Sequence, residues 1–411
     1  MTMKRNKIAA IDVGTTKVCT IIADTNGTED VRILGVGMTP SQGLEKGTVV
    51  NIRNTTASIA QSVKKAEKMA GYRLKSAYIG VPGTDMASQN NRGVVSIPRN
   101  DESVHYSDQK RALEIGRSVE IPNDQRLLHV IPRNYTLDGQ GNIKNPVGMH
   151  GFRLDVETHV ITTPALLVQN LTKCIAILGI NIDGMVLKSL ASAEAVLAED
   201  ERQTGVMLAD IGSATTDVAI FKDGSIYSTL SLPIGGNHVT NDIAVGLGLP
   251  FELAEKIKTK YGNVRLAEEK DNIDATVTED GTSVSYYDLC VIIASRIEEL
   301  LRLILFQIQG TDYKKSIPSG LVLTGGTSKL TGIAELGHEV TGLPVRTGIP
   351  LHPDTDDSIL SDPACATSVG LLYWKINNGG SQDWWTKRGG LEILLPRWLG
   401  YFSSRKLARV K

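Results

Sequence analysis

The chain has 411 residues, a formal net charge of −1, and 41% apolar against 22% charged residues. That length exceeds what one hydrophobic core usually organises, so two or more domains are expected. The near-neutral balance lacks the basic footprint of a nucleic-acid-binding protein, and no apolar stretch reaches the roughly 18 residues of a membrane span.

The first element is an apolar strand that runs through Ala10-Ile-Asp-Val-Gly-Thr-Thr-Lys-Val18 into a second β-branched strand. The basic start, Met1 to Lys7, is followed by this strand and its Asp12 rather than by an apolar run, so no signal peptide is expected. A variation on the same pattern returns 198 residues later as Ala209-Asp-Ile-Gly-Ser-Ala-Thr-Thr-Asp-Val218. Each copy reads as a tight β-hairpin. Gly14 and Gly212 let the backbone turn close to a ligand, and the neighbouring hydroxyls add donors, so each tip can present N–H groups to a phosphate. Asp12 and Asp210 would repel a bare phosphate and fit best with Mg²⁺, which keeps its waters and is held by one or two carboxylates plus phosphates. One such hairpin alone reads equally well as an ordinary strand turn. Two copies, each at the start of one half of the chain, point to a two-lobed nucleotide clamp.

Between the hairpins, strands and helices alternate as in an α/β protein. Thr55 to Ala70 carries Ile59, Val63, Ala66 and Met69 at helical spacing and stops at Gly71. Lys75 to Val81 returns to strand. A second helix is expected to open at Thr163-Pro164, with the proline at its first position, and to bury Leu167, Leu171, Cys174 and Leu178. Thr84 to Thr162 reads as an insertion, with strands at 93–97, 127–131 and 154–161, a helix over 107–119, and a Gly/Asn-rich loop from Asp138 to Met149. Its His105, His129 and His150 are too scattered for a metal site. Cys19, Cys174, Cys290 and Cys365 show no metal or disulfide spacing and read as reduced core residues of a cytosolic protein.

After the second hairpin come Pro233-Ile-Gly-Gly-Asn-His-Val-Thr-Asn-Asp242 and a helix over Glu252 to Lys258. That helix places Glu255 and Lys258 on one face, where a solvated surface is the simpler reading. Asn263 to Ser283 is a polar loop or short hairpin. Asp288 to Gln309 is a long helix bearing Arg296 and Arg302. Leu323-Thr-Gly-Gly-Thr327 ends a buried strand in a glycine turn expected to open a helix with free N–H groups.

These motifs resemble the five-part nucleotide site of the actin, DnaK chaperone and sugar kinase superfamily, and nearly the whole chain resembles the FtsA family of bacterial division proteins. The resemblance implies an α/β, actin-like, two-lobed ATPase-type fold with duplicated ribonuclease-H-like cores and an inserted α+β subdomain. The expected division is 1–84, 163–194 and 361–377 for the first core, with 85–162 inserted. The second core takes 195–236 and 310–360 with a small subdomain at 237–309, and a linker at 378–390 leads to a tail at 391–411. By the same resemblance Gly14, Thr15, Thr16 and Lys17 hold phosphates from one side and Gly212, Ser213 and Ala214 from the other. Gly235, Gly236, Glu255, Lys258, Gly325, Gly326 and Thr327 complete an ATP site, with Asp12 and Asp210 orienting hydrated Mg²⁺. Glu194 takes the position of actin's water-orienting glutamine, and Asp12, Asp210 and Glu194 form the candidate catalytic set; whether ATP is hydrolysed stays open.

The end of the chain turns aromatic and basic. From Trp384 to Lys411 there are seven Lys or Arg residues against one acid, Glu392. Pro396 can start a helix that puts Trp398, Leu399 and Phe402 on one face, with Arg405, Lys406 and Arg409 following, an interfacial membrane anchor by composition. A partner-binding tail is the alternative. The family resemblance implies self-association into an actin-like filament, and tethering of the tubulin-like division protein FtsZ to the cytoplasmic face of the membrane at the division site. It also implies recruitment of other septal proteins; Arg296 and Arg302 lie where the family binds the FtsZ tail. A soluble adaptor of the pilus-assembly type, ending near 372–377, and a sugar or acid kinase of the same superfamily are the rival readings.

Overall fold

The computed structural model describes residues 6–26, 31–97, 102–265, 275–307, 316–351 and 359–378, and the backbone of 392–393. Asn6–Val13, Lys17–Thr25 and Val31–Pro40 form an antiparallel meander. Ser76–Val81 runs parallel to the first of these strands, and Asn181–Leu187 parallel to Ser76–Val81. The second lobe repeats the layout. Val206–Ile211, Thr216–Lys222 and Ser225–Leu232 form the meander, and Leu321–Thr324 and Val345–Thr347 add in parallel beside the first strand. In both lobes the strand order is thus third, second, first, fourth, fifth, which is the duplicated core that the paired hairpins imply.

The central strands are buried on both faces, hence their unbroken runs of Ile, Val and Ala instead of an alternating pattern. Helix Ile52–Ala70 covers one face of the first sheet. Its Asn51 side chain caps the amide of Asn54, and it ends at Gly71, whose φ of 60° suits glycine. The approach is close because strand 31–40 carries Gly37: a Cβ there would lie 1.9 Å from the Ser62 carbonyl oxygen. Ile59, Val63 and Ala66 are buried as the spacing predicts, but Met69 is 60% exposed, its sulfur accepting from the Val36 amide at 3.4 Å.

Helices Lys188–Val196 and Ala366–Asn378 pack against each other between the sheets. Gly370 permits this, since a Cβ on it would meet the Ala191 carbonyl at 1.8 Å. One apolar cluster, including Ala10, Ile21, Ala193, Leu208, Phe221 and Leu372, runs through this helix pair and joins the lobes.

The inserted region forms its own sheet, with Arg153–Pro164 between Ala87–Ser96 and Gln125–Leu137 and helix Tyr106–Gly116 on one side. Gly93 again makes room, as its Cβ would lie 2.0 Å from the Ala112 carbonyl oxygen. The insertion leans on the second lobe. His159 contacts Thr229 Oγ1 through Nε2 at 3.0 Å, Ser88 donates to the Thr229 carbonyl at 2.7 Å, and Ser225 donates to the Arg133 carbonyl at 2.9 Å. Burial pushes the His159 imidazole down to about 3, so it is neutral here.

Several boundaries differ from expectation for local reasons. Thr163 and Pro164 still belong to the strand, and the following helix is Ala165–Ile177, so Pro164 caps rather than opens it. The Asp138–Met149 loop contains a short strand, Gln140–Ile143, paired with its neighbour. The turn at Gly325 leads into a 3₁₀ turn, Gly326–Lys329, and the α-helix begins only at Ile333. The proposed tail contacts at Trp398, Leu399, Phe402, Arg405, Lys406 and Arg409 lie outside the described residues.

Candidate functional site

The two hairpin turns face one another across a cleft and close in the same way: Gly14 N–H donates to the Lys17 carbonyl and Gly212 N–H to the Thr215 carbonyl, both at 2.9 Å. Between them lies a cavity of about 410 Å³. From the first lobe Asp12, Gly14, Thr15, Thr16 and Lys17 line it, and from the second Asp210, Gly212, Ser213 and Ala214. Gly236, Glu255, Lys258, Gly325, Gly326 and Thr327 complete the wall. The structure therefore gathers every phosphate- and nucleoside-binding candidate named from the sequence except Gly235. That glycine backs the second turn: a Cβ there would press on the Gly212 carbonyl oxygen at 2.6 Å, and the next two amides bond to Gly212 and Ser213.

Helix Phe251–Tyr261 delivers Glu255 and Lys258 to the wall. Lys258 is buried and its ammonium donates to Thr240 Oγ1 at 2.8 Å, to Glu255 Oε2 at 2.6 Å and to the Gly236 carbonyl at 3.1 Å. Thr240 also donates to Glu255. The pair is thus not a solvated surface but a braced corner of the cavity. Gly325, at φ 86°, sits where a Cβ would lie 2.5 Å from Asp210 Oδ1.

The carboxylates are held differently. Asp12 Oδ1 pairs with the Lys188 ammonium at 2.7 Å, and Lys188 also donates to the Val13 carbonyl at 2.9 Å. Asp210 has hydroxyl partners only, Ser192 at 2.6 Å and Thr367 at 3.1 Å. Burial, with the charges of Asp217 and Asp12 adding to it, pushes the Asp210 carboxyl up to about 6. Asp217 is raised as well, chiefly by burial, and bonds Ser231 at 2.5 Å and the Gly83 amide across the cleft at 3.4 Å. Asp12, Asp210 and Asp217 thus line one cavity, the last two with ionisation disfavoured by burial, but among the described residues no three acids, histidines or cysteines converge closely enough to hold a metal ion directly. At the far wall Lys17 reaches Cys365 Sγ at 3.5 Å; a bond from Cys19 and this ammonium hold the Cys365 thiol down at about 7.

Glu194 is not brought to the cavity. It lies six residues beyond Lys188 on the same helix, roughly 9 Å further along the axis. Both of its oxygens are taken, by Arg202 at 2.9 Å and Asn377 at 2.7 Å. The helix residue that does face the cleft is Lys188. Arg296 and Arg302 are on helix Tyr286–Phe306 and do not line the cavity. Arg296 grips Asp242 at 2.5 and 3.0 Å, tying two helices together, while Arg302 is 65% exposed and pairs with Glu298 at 2.6 Å.

A family model described as cell division protein FtsA matches residues 207–370, and one described as the SHS2 domain inserted in FtsA matches 83–162. The chain is 39% identical over 371 residues to the cell division protein FtsA of Pseudomonas aeruginosa, covering 89% of this chain and 88% of that one. This chain belongs to the FtsA family of cell division proteins. The FtsA proteins of Neisseria meningitidis and Escherichia coli K12 are 37% and 32% identical, over 97% and 90% of this chain and 99% and 90% of theirs. Solved structures similar in fold include a PilM–PilN type IV pilus biogenesis complex, at TM-score 0.64 and 17% identity over 91% of this chain and 99% of that one. MreB5 of Spiroplasma citri bound to ADP aligns at TM-score 0.54 and 13% identity, over 90% and 96%. The fold is actin-like and two-lobed, with the inserted subdomain in the first lobe.

Sequence reasoning missed Lys188, Asp217, Ser192 and Thr367 within this FtsA-family site. Asp217 was findable, because the hairpin register sets it directly across from Asp210. Lys188 carries one local signal, a cation in the first turn of a helix, where the backbone dipole disfavours it.

Proposed function

We propose that this protein binds ATP with Mg²⁺ in the cleft between its lobes, assembles into actin-like filaments, and tethers FtsZ to the cytoplasmic membrane at the division site. The observation that carries the nucleotide reading is the single cavity lined by both hairpin turns, the Glu255–Lys258 corner and the Gly325–Thr327 turn. MreB5 of Spiroplasma citri, which shares the fold, is described bound to ADP and to AMPPNP. In this reading Gly14 to Lys17 and Gly212 to Ala214 hold the phosphates, while Gly236, Glu255, Lys258 and Gly325 to Thr327 hold the nucleoside. With Asp12 paired to Lys188, Asp210 and Asp217 would hold the cation through its waters, and Mg²⁺ there would supply positive charge to the phosphates. Glu194 is committed to Arg202 and Asn377 and does not line the cavity, so in this reading it is not the residue that orients water. In the same proposal residues 1–84, 163–194 and 361–377 form the first core with 85–162 inserted, 195–236 and 310–360 the second core with a small subdomain at 237–309, and 378–390 a linker to a tail at 391–411.

Among the described residues no helix is long and apolar enough to cross a membrane; in this reading the aromatic, basic composition of Trp384 to Lys411 is what supports attachment to a membrane surface. Filament formation would multiply weak anchors into stable attachment. The exposed Arg302 is the better candidate for an acidic FtsZ tail, and Arg296 serves as a strut to Asp242. Other septal proteins would dock on the insertion. A liposome flotation assay tests the tether: the full chain with ATP floats on anionic vesicles and carries FtsZ with it, and a chain lacking residues 384–411 does not. Failure of the full chain to float contradicts the reading. An FtsZ tail peptide that binds equally after substitution of both arginines removes them from the interface.

A further inference from the structure

The cavity contains a cation that the nucleotide reading does not require. Lys188 opens helix Lys188–Val196, a position where the macrodipole opposes positive charge. Its side chain is largely buried and is drawn into the cleft, with its stem along strand Ser76–Val81 where Gly80 leaves space: a Cβ on Gly80 would sit 3.5 Å from Lys188 Cγ and Cε. The ammonium ends 2.7 Å from Asp12 Oδ1. Its field also favours the ionised form of Asp217. The other lysines on the cavity wall have partners of their own: Lys17 meets Cys365, Lys258 meets Glu255, Lys260 meets Glu279 and Lys329 meets Asp362. Among the lysines that line the cavity, Lys188 is the one paired to the Asp12 carboxylate.

We infer that Lys188 is a tethered counter-cation that occupies Asp12 in place of a divalent ion, so that nucleotide binding in this chain depends only weakly on Mg²⁺. The physical reason is competition for one carboxylate. An ammonium held by its own helix is present at every metal concentration, and an incoming cation must displace it against Coulomb attraction in a partly buried site. Asp210, with its hydroxyl partners and no ammonium, is left as the carboxylate open to a cation. The inference deepens the nucleotide reading and rests on it for its consequence, but the occupancy of Asp12 is measurable without nucleotide.

The test compares the full-length protein with Lys188→Gln, which keeps hydrogen-bond donors beside Asp12 without the charge, and with Lys188→Arg, which keeps the charge. Mn²⁺ binding is followed by electron paramagnetic resonance without nucleotide, and ATP affinity is measured in Mg²⁺ and in EDTA. The inference predicts that Lys188→Gln binds Mn²⁺ about tenfold or more tighter than the parent, with Lys188→Arg close to the parent. It also predicts that exchanging Mg²⁺ for EDTA weakens ATP binding to the parent by no more than about threefold, and to Lys188→Gln by about tenfold or more. Equal Mn²⁺ affinity in parent and folded Lys188→Gln overturns the inference. If the Gln variant does not fold, the parent decides: a loss of about a hundredfold in ATP affinity on removing Mg²⁺ overturns it. Absence of ATP binding under every condition refutes the nucleotide reading and leaves the Mn²⁺ comparison standing.

Discussion

The two hairpins share a backbone and differ in their electrostatics. In the first, Asp12 pairs in register with Cys19; in the second, Asp210 pairs in register with Asp217. Both turns close with the same 2.9 Å bond from glycine. Yet the first carboxylate is matched by an ammonium, and the second by hydroxyls while facing a further carboxylate. Duplication supplied the cradle twice, and divergence at the positions around it gave one lobe a charge-balanced acid and the other an acid whose ionisation burial disfavours.

Opposite outcomes should follow from removing each acid. Asp12→Ala leaves Lys188 buried without its partner and is expected to destabilise the nucleotide-free protein by about 3 kcal/mol in urea unfolding. Asp210→Asn keeps the Ser192 and Thr367 contacts, removes a carboxyl that burial disfavours, and should raise the melting temperature at pH 7. Equal destabilisation by both would break the comparison.

The pH dependence sharpens it. The Asp210 carboxyl rises from an ordinary 3.8 to about 6 on folding, so the folded state holds its proton more tightly. Its contribution to stability is fully present below about pH 4 and is lost as pH rises through about 6. His129 and His159, both pushed down to about 3 by burial, act in the opposite direction as pH falls, so the decisive quantity is the difference between parent and Asp210→Asn. That difference should favour the variant increasingly between pH 4 and 7 in thermal melts without nucleotide. A constant offset would show that Asp210 is not shifted.

The glycine turns supply a third, more local test. Gly325→Ala forces a side chain into a conformation at φ 86° and toward Asp210 Oδ1 at 2.5 Å, and a strained position of this kind costs about 1–3 kcal/mol. ATP affinity should fall by about tenfold or more. The smallest effect is expected at Arg302→Glu, an exposed helix pair with Glu298. Stability should change by less than about 1 kcal/mol, whereas binding of an acidic FtsZ tail peptide should weaken measurably.

The hairpins were legible because turn chemistry and β-branched strands are local properties, and the repeat of Asp12-x-Gly14 as Asp210-x-Gly212 announces the symmetry. The cavity members at Glu255, Lys258 and Gly325 were legible through resemblance, but their packing was not: Lys258 shares its ammonium with Thr240 and Gly236, which no spacing rule predicts. Glu194 misled because a motif gives sequence position, while helical rise decides which side chain reaches the cleft. Lys188 stayed hidden because its partner Asp12 is distant in sequence and joins it only when the helix docks beside the first sheet.

The most direct measurement is equilibrium binding of ATP to the full chain and to Gly236→Val, whose Cβ would lie 2.6 Å from Thr327 Oγ1 at the cavity wall. The account predicts saturable ATP binding by the parent and a loss of about tenfold or more in the variant. No saturable binding by the parent, or equal affinity in a folded variant, would contradict it.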